Sequence, residues 1–175
     1  MSSFNAFYVK ANGKATLEAM RQGFDQLKVE QYRDFIGIQL PGAPKKTPED
    51  WLSHLSKEFT TDVFWLSFES GMDCFEFHHW QSGQHIRSLV FGIEEERMWE
   101  RADGAPEPWE REFLFHPKNM EYELEDAEDE ELKETIQRVY RDAKIEVGQI
   151  VPSISSKMTA DAIAHHYRFP HYGLS

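Results

Sequence analysis

Three strand-like runs follow one another in the middle of the chain and constrain the fold more than any other feature. The runs are Asp62–Glu69, Asp73–Trp80 and His85–Phe91, and they are rich in aromatic and β-branched residues. The pairs Ser70-Gly71 and Ser82-Gly83 separate them, and such pairs favour tight hairpin turns. These runs therefore predict an antiparallel meander.

Elements on both sides of the meander complete the predicted fold. They are strands at Phe4–Val9 and Phe35–Leu40, and helices at Leu17–Leu27, from Thr47-Pro48 onward, at Leu132–Ala143 and at Ala160–Tyr167. The order strand, helix, strand, helix and meander favours the α+β class over a doubly wound parallel fold. We predict one domain over residues 1–175, with an antiparallel-rich mixed sheet of about five to seven strands and helices mainly packed on one face.

Charge and cysteine content narrow the class of function. The chain has 31 acidic residues against 19 Lys and Arg, a formal net charge of −12. We therefore expect neither nucleic-acid nor membrane binding, because both depend on a surplus of Lys and Arg. The only cysteine is Cys74, which excludes an internal disulfide and fits a reducing compartment. Because Met1–Lys14 lacks the features of a signal peptide, the predicted location is cytoplasmic.

The densest acidic run lies between Glu121 and Glu131, where eight side chains are acidic. It precedes the apolar stripe of the Leu132–Ala143 helix, and acids before a helix complement its macrodipole. We favour this interpretation over a cation site or a decoy for a basic partner. The run has no glycine, which excludes an EF-hand calcium loop.

Sequence signatures of common catalytic and cofactor sites are absent. The chain contains no Gly-x-Gly-x-x-Gly, no Gly-x-Ser-x-Gly and no His-Glu-x-x-His. A phosphate loop before Gly13-Lys14 would need a glycine where Tyr8 stands. The sequence therefore predicts no cofactor, no metal and no catalytic residue.

Hairpin geometry predicts a polar face on the meander. With Ser82-Gly83 as a two-residue turn, Trp80 faces His85 and His78 faces Arg87. One face of the sheet is then apolar, and the other carries a mixed set: Trp65, Glu76, His78, Trp80, His85 and Arg87. Cross-strand pairing accounts for such a set structurally, but Trp and Arg are also enriched at binding surfaces. These six residues are the candidate ligand or partner surface.

A longer pattern runs through the same region. Its residues are Asp73-Cys74-Phe75, Trp80, Gly83, Arg87-Ser88-Leu89, Trp99-Glu100, Gly104, Pro106 and Pro108-Trp109-Glu110. The pattern resembles a family of uncharacterised bacterial proteins with D-x-F…W-x-x-G-x-x-x-R-S-L followed by G-x-P-x-P-(aromatic)-E. The resemblance covers roughly residues 62 to 115. It implies a small bacterial α+β protein, without an established activity or catalytic residues.

Two functions are compatible with these features. The first is a non-catalytic protein that acts through protein–protein contact, either with a basic partner, as an antitoxin or immunity protein has, or with a second copy. The alternative is a small-molecule or metal-ion binding protein, including an enzyme, that uses Glu76, His78, His85 and Arg87. Between them, the sequence favours the non-catalytic protein.

Overall fold

A computed structural model describes residues 2–42, 47–149 and 155–170. Seven strands form one sheet in the order β2-β3-β1-β4-β5-β6-β7, and every neighbouring pair is antiparallel. The strands are β1 (Ser3–Lys10), β2 (Lys28–Tyr32), β3 (Phe35–Gln39), β4 (Asp62–Glu69), β5 (Cys74–Gln81), β6 (Gln84–Phe91) and β7 (Trp99–Gly104). The α+β class and the number of strands are confirmed, and the described sheet is antiparallel throughout rather than mixed.

The helices lie on both faces of this sheet. They are α1 (Leu17–Gly23), α2 (Glu49–Phe59), α3 (Pro117–Asp126), α4 (Glu130–Asp142) and α5 (Ser156–Tyr167), with a π-helical turn at Glu110–Leu114. Helices α1 and α2 cover one face, and α5 with the π-helical turn covers the other. The expectation that helices pack mainly on one face is therefore corrected. None of these described helices is both long and apolar enough to cross a lipid bilayer.

Strand β4 explains why both faces need a cover. Val63 and Trp65 point to the face covered by α2, called here the α2 face. Phe64, Leu66 and Phe68 point to the face covered by α5, called here the α5 face. All five side chains are at most 2% exposed. A continuous apolar run of this kind is typical of a strand buried on both sides, so helices on a single face would leave half of it in water.

A β-bulge in β6 changes the predicted register. Trp80 faces His85 as expected, but the next pair is His79 with Arg87, because Ile86 is an extra residue in β6. A shift of one residue moves every later side chain to the opposite face. Arg87 therefore lies on the α5 face. Ser88, and not Arg87 as predicted, lies opposite His78.

The acidic run belongs to two helices. Asp129 caps α4, because its side chain accepts a hydrogen bond from the backbone N–H of Leu132, and Glu130 and Glu131 occupy the first turn. This part confirms the helix interpretation of the run. Glu128 lies between the two helices, and the earlier acids lie in α3. Helix α3 was not predicted from the sequence, although Pro117 at its first position is a start signal.

Candidate functional site

A chain of polar side chains crosses β5 and β6 on the α2 face. The hydroxyl of Ser88 lies 2.5 Å from Nδ1 of His78 and 2.5 Å from Nε2 of His85. The other nitrogen of His78, Nε2, lies 3.2 Å from Oε2 of Glu76. The hydroxyl of Thr47 donates to the same carboxylate oxygen. One continuous hydrogen-bonded path thus joins four side chains, called here the relay: Glu76, His78, Ser88 and His85.

The single proton of the Ser88 hydroxyl sets the direction of this path. With Glu76 as acceptor, His78 donates through Nε2 and must accept through Nδ1. Ser88 then donates to His78 and accepts from Nε2–H of His85. Burial and the nearby positive charge of Arg101 lower the pKa of His85, which favours its neutral form. The relay can therefore be fully satisfied with both imidazoles neutral.

Access to the relay is restricted to its two ends. His78 is 1% exposed and Ser88 is 0% exposed, whereas His85 reaches solvent and the Glu76 side chain is 13% exposed. Trp80 stacks on His78 with a ring separation of 5.6 Å. No substrate atom can reach the serine hydroxyl in this arrangement.

The six predicted site residues are therefore divided. Trp65, His78 and Trp80 are buried on the α2 face, at 1%, 1% and 2% exposure. Glu76 and His85 lie on the same face and keep contact with solvent. Arg87 is placed on the α5 face by the bulge, so its predicted position beside the others is wrong. Ser88, which joins the two imidazoles, was missed because only the true register places it between them.

Arg87 binds a carboxylate that lies far from it in sequence. Its Nε and Nη2 donate to the two oxygens of Glu110 at 2.9 and 2.6 Å. Its Nη1 donates to the carbonyl oxygens of Asp103 and Gly104 at 3.2 and 2.9 Å. Both side chains are buried, at 2% and 0% exposure. This bidentate pair fixes the π-helical turn to the sheet.

A second buried ionic group lies beside it on the α5 face. Nδ1 of His79 is 2.5 Å from a carboxylate oxygen of Glu107, and its Nε2 is 2.8 Å from Asp62. Glu107 also accepts hydrogen bonds from the Tyr167 hydroxyl at 2.5 Å and from the Trp109 indole at 3.1 Å. Because both ring nitrogens face carboxylates, His79 fits as an imidazolium that holds α5 and the π-helical turn together.

The charge state of this group predicts how stability depends on pH. Burial lowers the pKa of His79, but its bonds to Asp62 and Glu107 outweigh burial and raise it above the ordinary 6.5. The bond from His79 outweighs burial at Asp62 and lowers its pKa below 3.8. The contribution of His79 is therefore complete below pH 6.5 and is lost as pH rises through its higher folded pKa. That of Asp62 is complete above pH 3.8 and is lost as pH falls through its lower folded pKa.

We expect His79→Gln to destabilise the protein most in the window between these two values. Urea unfolding of the wild type and the variant at a series of pH values gives the difference in free energy of unfolding. The difference should shrink steadily as pH rises above 6.5. A difference that stays constant or grows over that range would contradict the assignment of a charged His79.

The pattern that resembles the bacterial family has a structural explanation. Arg87 binds Glu110, and Gly104 provides one of the carbonyls that Arg87 holds. A Cβ atom on Gly104 would lie 1.9 Å from the carbonyl oxygen of Ile86, so the site accepts only glycine. Trp109 packs edge-on against Phe77 in the core of the α5 face. Four members of the pattern, Arg87, Gly104, Trp109 and Glu110, therefore dock the π-helical turn on the sheet.

Within residues 2–42, 47–149 and 155–170, no group of three or more His, Cys, Asp and Glu side chains is arranged to hold a metal ion.

Cys74 is buried, and burial together with the nearby charge of Glu69 raises the pKa of its thiol. A raised thiol pKa disfavours the nucleophilic thiolate.

Comparisons with known proteins found no relative of this chain. No protein-family model matches the sequence. Neither the search of curated proteins nor the search of solved structures gives a match. Support for a function therefore comes from the residues of this chain alone.

Proposed function

We propose that this protein is a non-catalytic binding protein whose partner is a positively charged protein, and that the contact surface is the acidic helix pair, α3 with α4 (residues 117–142). The observation that carries the proposal is a set of exposed carboxylates without a described ion pair: Glu121, Glu125, Asp126, Glu128, Glu131 and Glu134. Lys133 neutralises only Glu130, at 2.8 Å. An uncompensated field of one sign steers and selects a partner of the opposite sign.

Helix stability does not account for the acids of α3. Acids at the start of α4 are favourable there, because they face the positive end of its macrodipole. Glu125 and Asp126 lie in the last turn of α3, where the dipole disfavours negative charge and no basic residue is present. Each such charge costs about 0.3–1 kcal/mol at an exposed helix end. Carboxylates placed against the dipole support a role in binding rather than in folding.

Two apolar side chains are exposed on the same helix pair. Tyr122 is 62% exposed and Leu132 is 45% exposed. A third aromatic or apolar residue of the pair, Tyr140, is partly buried: it donates to Glu123 and packs edge-on against Phe115. Protein interfaces combine apolar anchors, with Tyr prominent among them, and a polar rim that supplies charge complementarity. Both components are present in the acidic helix pair.

Burial of the relay supports the non-catalytic part of the proposal. Ser88 and His78 have the hydrogen bonds of an activated hydroxyl, but a nucleophile must contact the reacting atom of its substrate. With 0% and 1% exposure these two side chains serve to satisfy one another inside the α2 face. Of the four relay residues, His85 and Glu76 alone keep contact with solvent.

A charge-reversal experiment tests the proposed surface. The variant Glu121→Lys/Glu125→Lys/Asp126→Lys changes α3, and the matched control Glu94→Lys/Glu95→Lys/Glu96→Lys changes three exposed acids after β6. Both raise the net charge equally. A partner captured from native extract and then purified should bind the α3 variant at least about tenfold more weakly and the control nearly as well as wild type. Wild-type affinity should fall as salt is raised from about 50 to about 300 mM, because the Debye length shortens from above to below about 10 Å over that range.

Tyr122→Ala separates apolar anchoring from charge. It should weaken binding without changing the salt dependence, because it removes buried area and no charge. Three outcomes would count against the proposal: no stoichiometric partner, a partner with an acidic isoelectric point, or equal weakening by the α3 variant and its control.

A further inference from the structure

A cleft lies between the β2–β3 turn, the π-helical turn and α5. Its volume is about 930 Å³, within the range of roughly 300–1,000 Å³ that small-molecule sites occupy. Buried Trp109 and Ala164 form part of its inner wall, with Phe113 beside them. Tyr32 and Met158, which are 45% and 54% exposed, line it nearer to solvent. The cleft is therefore large enough and apolar enough to hold an organic molecule.

Two arginines and two carboxylates line this cleft. Of its two carboxylates, Asp161 forms an ion pair with Lys157 at 2.8 Å, and Glu112 lies 3.3 Å from Nδ1 of His166. Arg33 and Arg168 also line the cleft, and neither takes part in a described ion pair. In a chain with a net charge of −12, two guanidinium groups in one cleft without a described carboxylate partner favour a negatively charged ligand.

The backbone at both arginines favours a smaller residue. Arg33 occupies the tight β2–β3 turn with φ of 50°, and Arg168 ends α5 with φ of 59°. Glycine and asparagine are preferred at such left-handed positions, and other side chains are strained there. Both arginines thus occupy positions whose backbone conformation favours glycine or asparagine, and both line the same cleft.

The wall opposite α5 is built from an uncommon element. The backbone N–H of Phe115 donates to the carbonyl of Glu110 at 3.1 Å, the i to i+5 bond of a π-helix. Such turns are rare and occur frequently at functional sites. Here the turn is anchored by the Arg87–Glu110 pair and presents Glu112 and Phe113 to the cleft. The ligand would meet a preformed surface, which reduces the entropic cost of binding.

We propose that this cleft binds a small organic anion, with its carboxylate, phosphate or sulfonate group between Arg33 and Arg168 and its apolar body against Phe113 and Met158. Guanidinium groups bind such oxyanions through charge-assisted hydrogen bonds, and the aromatic wall removes the apolar body from water. The site is separate from the acidic helix pair and from the relay, where the sequence placed its alternative ligand site. It adds a small-molecule ligand to a protein proposed to bind another protein.

Naphthalene-2-sulfonate is a suitable probe, because it joins a compact aromatic body to a sulfonate that hydrolysis does not remove. Calorimetry and amide chemical shifts would measure its binding to the full chain, with naphthalene-2-sulfonamide as the neutral analogue. We expect millimolar or tighter binding, shift changes centred on residues 33, 113 and 168, and at least about tenfold weaker binding of the sulfonamide.

The decisive variants are Arg33→Gly and Arg168→Gly. Glycine suits the positive φ at both positions, so neither variant should melt below wild type. Each should bind the probe at least about tenfold more weakly. Arg97→Gly is the matched control, because Arg97 is exposed, has φ of 58° and lies outside the cleft, and its binding should equal that of wild type.

Any of four results would overturn the proposal. These are no binding of the probe by wild type at millimolar concentration, equal binding of the sulfonamide, equal weakening by Arg97→Gly, and shift changes that map outside the cleft.

Discussion

Replacing Arg87 with methionine should lower the free energy of unfolding by about 3–5 kcal/mol. The substitution keeps much of the aliphatic volume but leaves the carboxylate of Glu110, which is 0% exposed, without its bidentate partner. The carbonyls of Asp103 and Gly104 lose a donor as well. Urea unfolding at constant pH measures the effect, and the midpoint should shift without a large change in slope.

Arg101→Met is the control for this experiment. Arg101 also binds two carboxylate groups, Glu49 at 2.6 Å and Asp103 at 2.5 Å, but its side chain is 33% exposed. We expect it to cost under about 1 kcal/mol, because water screens the pair and can replace it. The double variant Arg87→Met/Glu110→Leu should recover much of the lost stability, since no uncompensated charge stays buried. Equal costs for the Arg87 and Arg101 variants would refute the assigned role of the buried pair.

Gly104→Ala is expected to cost about 3 kcal/mol or more, or to prevent folding. The new Cβ would lie 1.9 Å from the carbonyl oxygen of Ile86 and 3.2 Å from Cα of Arg87. These are backbone atoms of the paired strand, which cannot move without breaking the β6–β7 ladder. Thermal and urea unfolding of the purified variant, or its failure to accumulate as folded protein, would measure the loss.

Gly42→Ala separates overlap from backbone strain. Gly42 and Gly104 have the same φ of 87°, but a Cβ on Gly42 would meet no atom of the described residues within 4 Å. The Gly42 variant should therefore cost only about 1 kcal/mol, the usual penalty of alanine at a positive φ. Similar costs for the two variants would mean that Gly104 is needed for its conformation and not for close approach of the strands.

The order of the main elements was predictable because it depends on short-range patterns. Alternating aromatic and β-branched residues between Ser-Gly pairs identify β4, β5 and β6, and the turns fix their antiparallel pairing. Strand β2 has no such pattern, since Val29 is its one buried residue and the rest of this edge strand is polar. A polar edge strand differs little from a loop in sequence, so it was missed.

The candidate site was less predictable because it depends on one extra residue. Strict alternation places Arg87 beside His78, and only the bulge at Ile86 moves it to the other face. Glu110 stabilises the bulged register because it binds Arg87, and it follows β7 in the sequence. No pattern local to β6 reveals such a partner. The exposure of the other five predicted residues likewise depended on where α2 would pack.

The position of β1 between β3 and β4 has a consequence during synthesis. Val9 pairs with Ile36 on one side and with Val63 on the other, so β1 cannot be covered until β4 has left the ribosome. At about 5–20 residues per second this delay lasts roughly 3–10 s. Phe4 and Phe7, both buried in the finished protein, remain open to chaperones or to other nascent chains throughout that interval.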